Sequence, residues 1–155
     1  MRFASFAFPQ STDPEKDSVV IDDTLREIDL AEPGAHTITN VVSCPGTDSC
    51  KLGITSSMGL GRAVKASLTE AAIDDPEVKK LHVKISGCPN GCARHHIANI
   101  GFHGAATKGD GNQVPAYETF LAGSYGNGDA RFGQRLKTKV PAKRVPQLTL
   151  RFTEL

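Results

Sequence analysis

The sequence predicts an α+β domain in which a mixed sheet carries helices. Apolar residues recur at helical spacing over residues 57–73, alternate with polar residues over 81–86, and flank a Gly- and Asn-containing segment at 108–112. These patterns indicate an amphipathic helix, a half-buried strand and a hairpin turn. Because a hairpin joins antiparallel strands, an α+β arrangement fits better than a doubly wound parallel sheet.

The first part of the chain carries few structural signals. Residues 3–8 are predicted as a short strand. Ile21, Leu25 and Ile28 recur at the spacing of a short helix. We therefore expect residues 1–36 to form an N-terminal segment of unclear role.

The rest of the chain reads as alternating strands and helices. The β-branched segment 37–42 predicts a strand that leads into Cys44, and the helix of residues 57–73 is expected to stop at Asp74-Asp75-Pro76. A half-buried strand then occupies residues 81–86. The remaining predicted elements are a short helix at 93–98, strands at 100–106 and 117–122, a Gly-rich loop at 123–133 and a short terminal helix that contains Val145, Leu148 and Phe152.

Composition and charge exclude several classes of protein. The chain has 155 residues, with 18 Lys and Arg against 17 Asp and Glu, and a formal net charge of +1. This balance provides no basic field for nucleic acid and no polybasic membrane anchor. No apolar run approaches the ~20 residues that span a bilayer, and the first residues do not resemble a signal peptide. We expect a cytoplasmic protein that binds neither nucleic acid nor membranes.

The four cysteines form two close pairs. Cys44 and Cys50 have C-x5-C spacing, and Cys88 and Cys92 have C-x3-C spacing after a long gap. They are too sparse for the disulfide framework of a small secreted chain. Each pair lies in a Gly- and Pro-containing loop between a predicted strand and a predicted helix. Two such loops can face each other and supply the four soft thiolates that a [4Fe–4S] cubane requires.

Two other interpretations of the cysteines stay open at this point. They could be small buried hydrophobic residues, although their clustering with Gly, Pro and Asn is unusual in a core. They could also hold a structural zinc ion, for which C-x2–4-C pairs are usual and the C-x5-C pair is wide. Spacing by itself favours a cluster without excluding zinc.

Two stretches resemble the cluster domain of the ferredoxin-type assimilatory nitrite and sulfite reductases. They are residues 42–57 and 83–102, and the C-x5-C, long gap, C-x3-C order is that family's signature. The run G-C-P-N-x-C-x-x-x-x-x-A-x-I-G at residues 87–101 makes the match specific. The resemblance implies a nitrite/sulfite reductase cluster-domain-like fold and a [4Fe–4S]/sirohaem domain at residues 37–155, truncated at its C-terminus.

The resemblance also implies roles for individual residues. Cys44, Cys50, Cys88 and Cys92 would hold the [4Fe–4S] cluster. Cys92 would in addition be the axial ligand of a sirohaem iron. Asn90 would contact the sirohaem carboxylates.

The activity implied by the resemblance is that of an oxidoreductase. It would reduce nitrite to ammonia or sulfite to sulfide with six electrons, delivered by ferredoxin or a flavoprotein. No residue matches a substrate-binding motif that we can name, so we expect no catalytic residue here, an inactive isolated chain, and the remaining domains of the reductase as partners. The alternatives are a non-catalytic iron–sulfur electron-transfer module and a structural four-cysteine zinc domain.

The other polar candidates have structural interpretations. Adjacent helical residues point about 100° apart, so His95 and His96, with His103 nearby, are not expected to share a metal ion. We expect one of the adjacent pair to be buried and the other exposed. Five basic residues are interpreted as surface charges: Lys51, Arg62, Arg94, Lys143 and Arg144.

Overall fold

The computed structural model describes residues 21–28, 30, 34–125 and 130–154. The chain divides into two compact units, Met1–Gly34 and Ala35–Leu155. In the first unit, residues 21–26 are helical, which confirms the predicted helix. The strand predicted at residues 3–8 lies outside the described residues. Within the described ranges, no helix has both the length and the apolar character needed to cross a membrane.

The second unit is built on a five-stranded mixed sheet with the strand order β1-β2-β3-β4-β5. The first three strands are parallel to one another, and the last two are antiparallel to their neighbours. The predicted α+β fold is therefore confirmed. The strands are β1 (Val42–Ser43), β2 (Val83–Ser86), β3 (Ile100–Gly109), β4 (Asn112–Leu121) and β5 (Gln134–Pro141).

Three α-helices accompany the sheet: α1 (Ser57–Glu70), α2 (Pro76–Lys79) and α3 (Val145–Thr153). The N-terminus of α1 is capped by the Ser56 hydroxyl, which accepts the N–H of Gly59 at 3.2 Å. Short 3₁₀ turns cover Gly46–Asp48, His95–Ile97 and Ala142–Arg144. The predicted terminal helix is confirmed, and the helix predicted at 57–73 is confirmed with an end at Glu70.

The apolar core lies between the sheet and the helices. Leu60, Val64 and Leu68, which recur along one side of α1, are buried. They pack in one cluster with residues of four elements: Val83, Ile85, Ile100, Phe102, Tyr117 and Val145. Full burial of each large apolar side chain is worth about 1.5–3 kcal/mol, so this cluster fixes the position of α1 on the sheet.

Strand β2 is buried on both faces, whereas the sequence predicts a half-buried strand. All four of its residues are buried, including Lys84 at 3% exposure. The reason is topological, because β2 lies between two parallel strands and the segment that carries His95 covers its second face through Ser86. Parallel strands are commonly buried in this way.

The strand predicted at residues 37–42 is wrong for most of its length. Only Val42–Ser43 is a strand, and the residues before it turn, with Asn40 N–H donating to Thr37 O at 2.9 Å. Ile38 is buried in this turn at 2% exposure, and its N–H donates to Lys79 O at 2.8 Å. Its β-branched side chain therefore packs in the core, although its backbone forms a turn and not a strand.

The sequence pattern did not predict two elements, α2 and β5. Asp75 is not a stop but the N-cap of α2, since its carboxylate accepts the N–H groups of Glu77 and Val78 at 2.8 and 3.1 Å, and Pro76 takes the first helical position. Strand β5 has almost only exposed residues, so it shows no apolar alternation. The helix predicted at 93–98 is a 3₁₀ turn at His95–Ile97.

The predicted hairpin between β3 and β4 is confirmed. Gly109 pairs with Asn112 across a two-residue turn. Asp110 and Gly111 both have positive φ, +50° and +81°, as a type I′ turn requires. The antiparallel half of the sheet is thus set by local turn chemistry.

Gly104 of β3 offers a test of how tightly the sheet packs against the cysteine-bearing segments. A Cβ at this position would clash with the carbonyl oxygen of Gly87 and the hydroxyl of Thr55. Gly104→Ala should lower the free energy of unfolding by about 1–3 kcal/mol, measured by chemical denaturation. Gly109→Ala on the same strand is the matched control, because its Cβ would lie 3.6 Å from Val114, an ordinary contact. Equal stability of the two variants would contradict this packing.

Candidate functional site

The four cysteines lie on two loops at one edge of the sheet. The first cysteine loop, residues 44–55, begins where β1 ends, and the second cysteine loop, residues 87–92, begins where β2 ends. β1 and β2 are parallel neighbours. Because parallel strands end at the same edge, the two loops emerge side by side.

Backbone hydrogen bonds join the two cysteine loops. The carbonyl oxygen of Gly87 accepts the N–H groups of Ile54 at 2.9 Å and Thr55 at 3.1 Å. The Cys44 N–H donates to Ile85 O at 3.1 Å. The first loop is therefore tied at both of its ends to the strand and loop that carry Cys88.

Two glycines let the loops approach this closely. A Cβ on Gly87 would lie 2.7 Å from the Cα of Gly46, a distance that no side chain tolerates. Gly46 also has a φ of +57°, in the left-handed region that favours glycine. Larger residues at either position would push the two cysteine loops apart.

The Cys44 sulfur accepts a hydrogen bond from one backbone amide and lies beside the Ser57 hydroxyl, which donates to the Cys44 carbonyl oxygen at 2.7 Å. The backbone N–H of Gly87 donates to Sγ at 3.1 Å, and the Ser57 hydroxyl lies 3.3 Å from Sγ. Burial alone would raise the pKa of this thiol, but the Ser57 hydroxyl and the backbone amides outweigh it and lower the pKa of Cys44. These donors favour the thiolate, which is the form that binds metals.

The other thiols differ in their access to solvent. Cys88 is buried at 8% exposure, Cys44 is half-buried, and Cys50 and Cys92 are exposed; all four are free thiols. Among the residues described, no three His, Cys, Asp or Glu side chains are grouped to share a single metal ion. A cubane distributes its thiolate ligands over different iron atoms, so it does not require such a grouping.

A buried polar group supports the second cysteine loop. The Ser86 hydroxyl accepts the N–H of Ala93 at 3.3 Å and lies 2.9 Å from Nδ1 of His95. It thereby bridges the residues on either side of the loop. Burial, with the nearby His96 and His103, lowers the pKa of His95 from 6.5 to about 3, so this imidazole is neutral at physiological pH.

The histidines follow the sequence prediction in part. His95 is buried at 0% exposure, as expected for one of the adjacent pair. His96 is half-buried rather than exposed, because its ring lies 3.8 Å from that of His95. His103 faces the Glu118 carboxylate at 3.4 Å, and the Arg135 guanidinium beside Glu118 lowers the pKa of that carboxyl group.

The remaining predicted residues lie at the surface. Asn90 is exposed on the second cysteine loop. The five basic residues interpreted as surface charges are exposed: Lys51, Arg62, Arg94, Lys143 and Arg144. Sequence reasoning missed the roles of Ser57 and Ser86, whose only signal is their position directly beside the two cysteine loops.

A mixed sheet that presents four free thiols on two joined loops is suited to binding an iron–sulfur cluster. The family model for the nitrite and sulphite reductase 4Fe–4S domain matches residues 34–155. The chain belongs to this family. The resemblance noted from the cysteine spacing is therefore confirmed.

Similar proteins include reductases of both substrate types. The ferredoxin–nitrite reductase of Synechococcus elongatus is 34% identical over 107 residues, which are 69% of this chain and 20% of the relative. The sulfite reductase [ferredoxin] of Mycobacterium tuberculosis is 32% identical over 125 residues, 76% of this chain and 22% of the relative. The chain thus spans about a fifth of the length of these relatives.

A solved structure also resembles the fold. The NirA protein of Mycobacterium tuberculosis superposes with a TM-score of 0.67 at 29% identity. The match covers 88% of this chain and 27% of that protein. The α+β fold described above is therefore similar to that of a solved structure.

The buried neutral His95 predicts an acid-sensitive fold. The unfolded chain takes up a proton below pH 6.5 that the folded chain accepts only near pH 3. Stability therefore falls as the pH drops below 6.5, by about 2 kcal/mol at pH 5 from this residue alone. The measurement is the free energy of unfolding between pH 7 and pH 5. His95→Gln should remove that part of the loss, whereas the matched variant His96→Gln should retain it. An unchanged acid loss in His95→Gln would contradict this account.

Proposed function

We propose that this chain is the cluster- and sirohaem-binding domain of an oxidoreductase that reduces nitrite to ammonia or sulfite to sulfide. The observation that carries the proposal is the junction of the two cysteine loops at Gly87, which joins four thiols from distant parts of the sequence in one structural unit. Membership of the 4Fe–4S domain family supports it.

The residues present fit a [4Fe–4S] cluster, and we assign Cys44, Cys50, Cys88 and Cys92 as its ligands. The donor set is the one such clusters use. The Gly87 amide already donates to the Cys44 sulfur, which favours negative charge on a bound cluster. When bound, the cluster would store and pass on single electrons.

The exposed thiol of Cys92 supports a further role in this proposal. Cys92 would serve as the axial ligand of the sirohaem iron as well as a cluster ligand. Its exposure leaves the sulfur accessible to a second group. Asn90, exposed on the same loop, would donate a hydrogen bond from its side-chain amide N–H to a carboxylate of the macrocycle.

The buried residues beneath the loop would hold these ligands in place. Ser86 bridges to Ala93 and to His95, so it fixes the chain on both sides of Cys88 and Cys92. Cys44 is held by its own N–H bond to Ile85. The chain's contribution is thus orientation and charge stabilisation of the thiolates.

The proposed partners follow from the relatives. Both are named as ferredoxin enzymes, which supports ferredoxin as the electron donor, with a flavoprotein as the other candidate. Because the chain spans about a fifth of them, substrate binding would depend on the remaining domains of the reductase, and the isolated chain would be inactive. We propose a cytoplasmic location, since free thiols suit a reducing compartment.

The domain boundaries remain part of the proposal. We place the [4Fe–4S]/sirohaem domain at residues 37–155, close to the family match at 34–155 and the compact unit Ala35–Leu155. The comparisons give no support to a non-catalytic electron-transfer module or to a four-cysteine zinc domain.

Anaerobic reconstitution with iron and sulfide tests the ligand assignment. The wild-type chain should turn brown and bind about four iron and four sulfide per chain, whereas Cys88→Ser should bind much less. Ser49→Ala, an exposed neighbour of Cys50, is the control and should bind like the wild type. One zinc per chain in place of iron, or equal iron loading in Cys88→Ser, would refute the assignment.

Ser57 provides a second test, through the reduction potential. The Ser57 hydroxyl donates to the Cys44 carbonyl oxygen at 2.7 Å and lies 3.3 Å from Sγ, so rotation of its O–H can direct this proton to the sulfur once Cys44 is a thiolate. Because hydrogen bonds to cluster sulfurs stabilise the reduced state, Ser57→Ala should shift the midpoint potential to more negative values. Ser67→Ala, farther along the same helix, is the control and should leave the potential unchanged. An unshifted potential in Ser57→Ala would show that this hydroxyl does not act on the cluster.

A further inference from the structure

Lys84 is a buried cation that has no counter-charge in contact with it among the described residues. It lies on the face of β2 opposite Ile85, because adjacent strand residues point to opposite faces. The residue is 3% exposed, and its Nζ lies 4.6 Å from the centroid of the Tyr125 ring. In the described part of the chain, no carboxylate or other acceptor contacts this ammonium group. An aromatic face compensates only in part for the cost of burying a charge.

Further basic groups surround Lys84. Burial and then the nearby Arg94 lower the pKa of Lys84. The His82 ring lies 4.9 Å from the Tyr125 ring and 6.1 Å from the His36 ring. Burial lowers the pKa of His82, and the charges of Lys84 and His36 add to this effect. Basic side chains that lie close together repel one another, and a bound anion would reduce this repulsion.

His82 adds a ring nitrogen without a partner. Asn99 Oδ1 accepts the backbone N–H of His82 at 2.8 Å and lies 3.3 Å from its Nδ1. The Asn99 amide nitrogen donates to Gly123 O at 3.0 Å, which fixes the orientation of that amide. Nδ1 therefore carries the proton that points to Asn99. Nε2 is buried and, among the residues described, has no hydrogen-bond partner.

We propose that Lys84, Arg94 and His82 form a binding site for an anionic oxygen group, either a carboxylate or a small oxyanion such as sulfate or phosphate. Lys84 and Arg94 supply the charge. Because the proton of the neutral His82 ring is on Nδ1, Nε2 donates to the anion only when binding is accompanied by uptake of a second proton by this ring. Charge-assisted hydrogen bonds to such oxygens are about twice as strong as neutral ones. The Tyr125 ring forms one wall beside Lys84 and His82. The site contains none of the four proposed cluster ligands and requires no metal.

Anion titration of the full, metal-free chain tests the proposal. Sodium sulfate, phosphate, acetate and citrate are added at constant ionic strength, held with sodium chloride, while NMR follows the Lys84, Arg94 and His82 side-chain signals. A saturable shift of these signals supports the site. Saturation by sulfate or phosphate indicates a free oxyanion, and saturation by acetate or citrate alone indicates a carboxylate-bearing ligand. No saturable shift, or an equal response to chloride, overturns the proposal.

Matched variants locate the binding. Lys84→Met keeps the length of the side chain and removes its charge, and it should weaken the apparent affinity about tenfold or more, as expected when a charge-assisted contact is lost. Lys65→Met, exposed on α1, is the control and should bind like the wild type. Arg94→Asn tests the second cation at a position with a φ of +59°, which Asn tolerates. Wild-type affinity in either Lys84→Met or Arg94→Asn overturns the proposal, and Arg94→Asn decides the matter if Lys84→Met does not fold.

Discussion

The backbone of Gly87 is the contact on which the candidate site depends. Its carbonyl oxygen accepts two N–H groups from the first cysteine loop, and its own N–H donates to the sulfur of Cys44. A net contribution of about 1 kcal/mol per hydrogen bond is small, but all three bonds require the same close approach. That approach is possible only because Gly46 faces Gly87 without a Cβ on either residue. The junction therefore converts two separate loops into one unit that carries four thiols.

The sheet explains why this junction forms and why its surroundings are asymmetric. The parallel pairing of β1 and β2 brings both loops to one edge, and the hairpin of β3 and β4 extends the sheet away from them. Helices α1 and α3 pack over one face with the apolar core. The opposite face buries several polar groups, with His95 and Ser86 beneath the second cysteine loop and Lys84 beside Tyr125, and Phe120 packs against the His95 ring there. One face thus carries the main apolar core, while the other also buries hydrogen-bonding and charged groups.

Elements whose signals are local could be predicted from the sequence. The helix α1 follows from its apolar spacing, and the β3–β4 hairpin follows from turn residues that accept positive φ. Strand β5 could not be predicted, since an exposed edge strand needs no apolar face. The strand prediction for residues 37–42 was wrong for the opposite reason. Ile38 is apolar and buried in the core, but its backbone lies in a turn. In β5 and at Ile38, whether a residue is apolar follows from its burial. Burial depends on tertiary contacts as well as on the local backbone conformation.

The sequence by itself determined the donor set: four cysteines in two spaced pairs, with glycines beside them, and the family to which this order belongs. Only the tertiary structure decided which thiol receives the Gly87 N–H, which thiols face solvent, and that Lys84 is buried with no carboxylate against it in the described ranges. These properties arise from contacts between segments that lie far apart in the chain. Local periodicity carries no information about such contacts, because they depend on which strands pair and on what covers each face of the sheet.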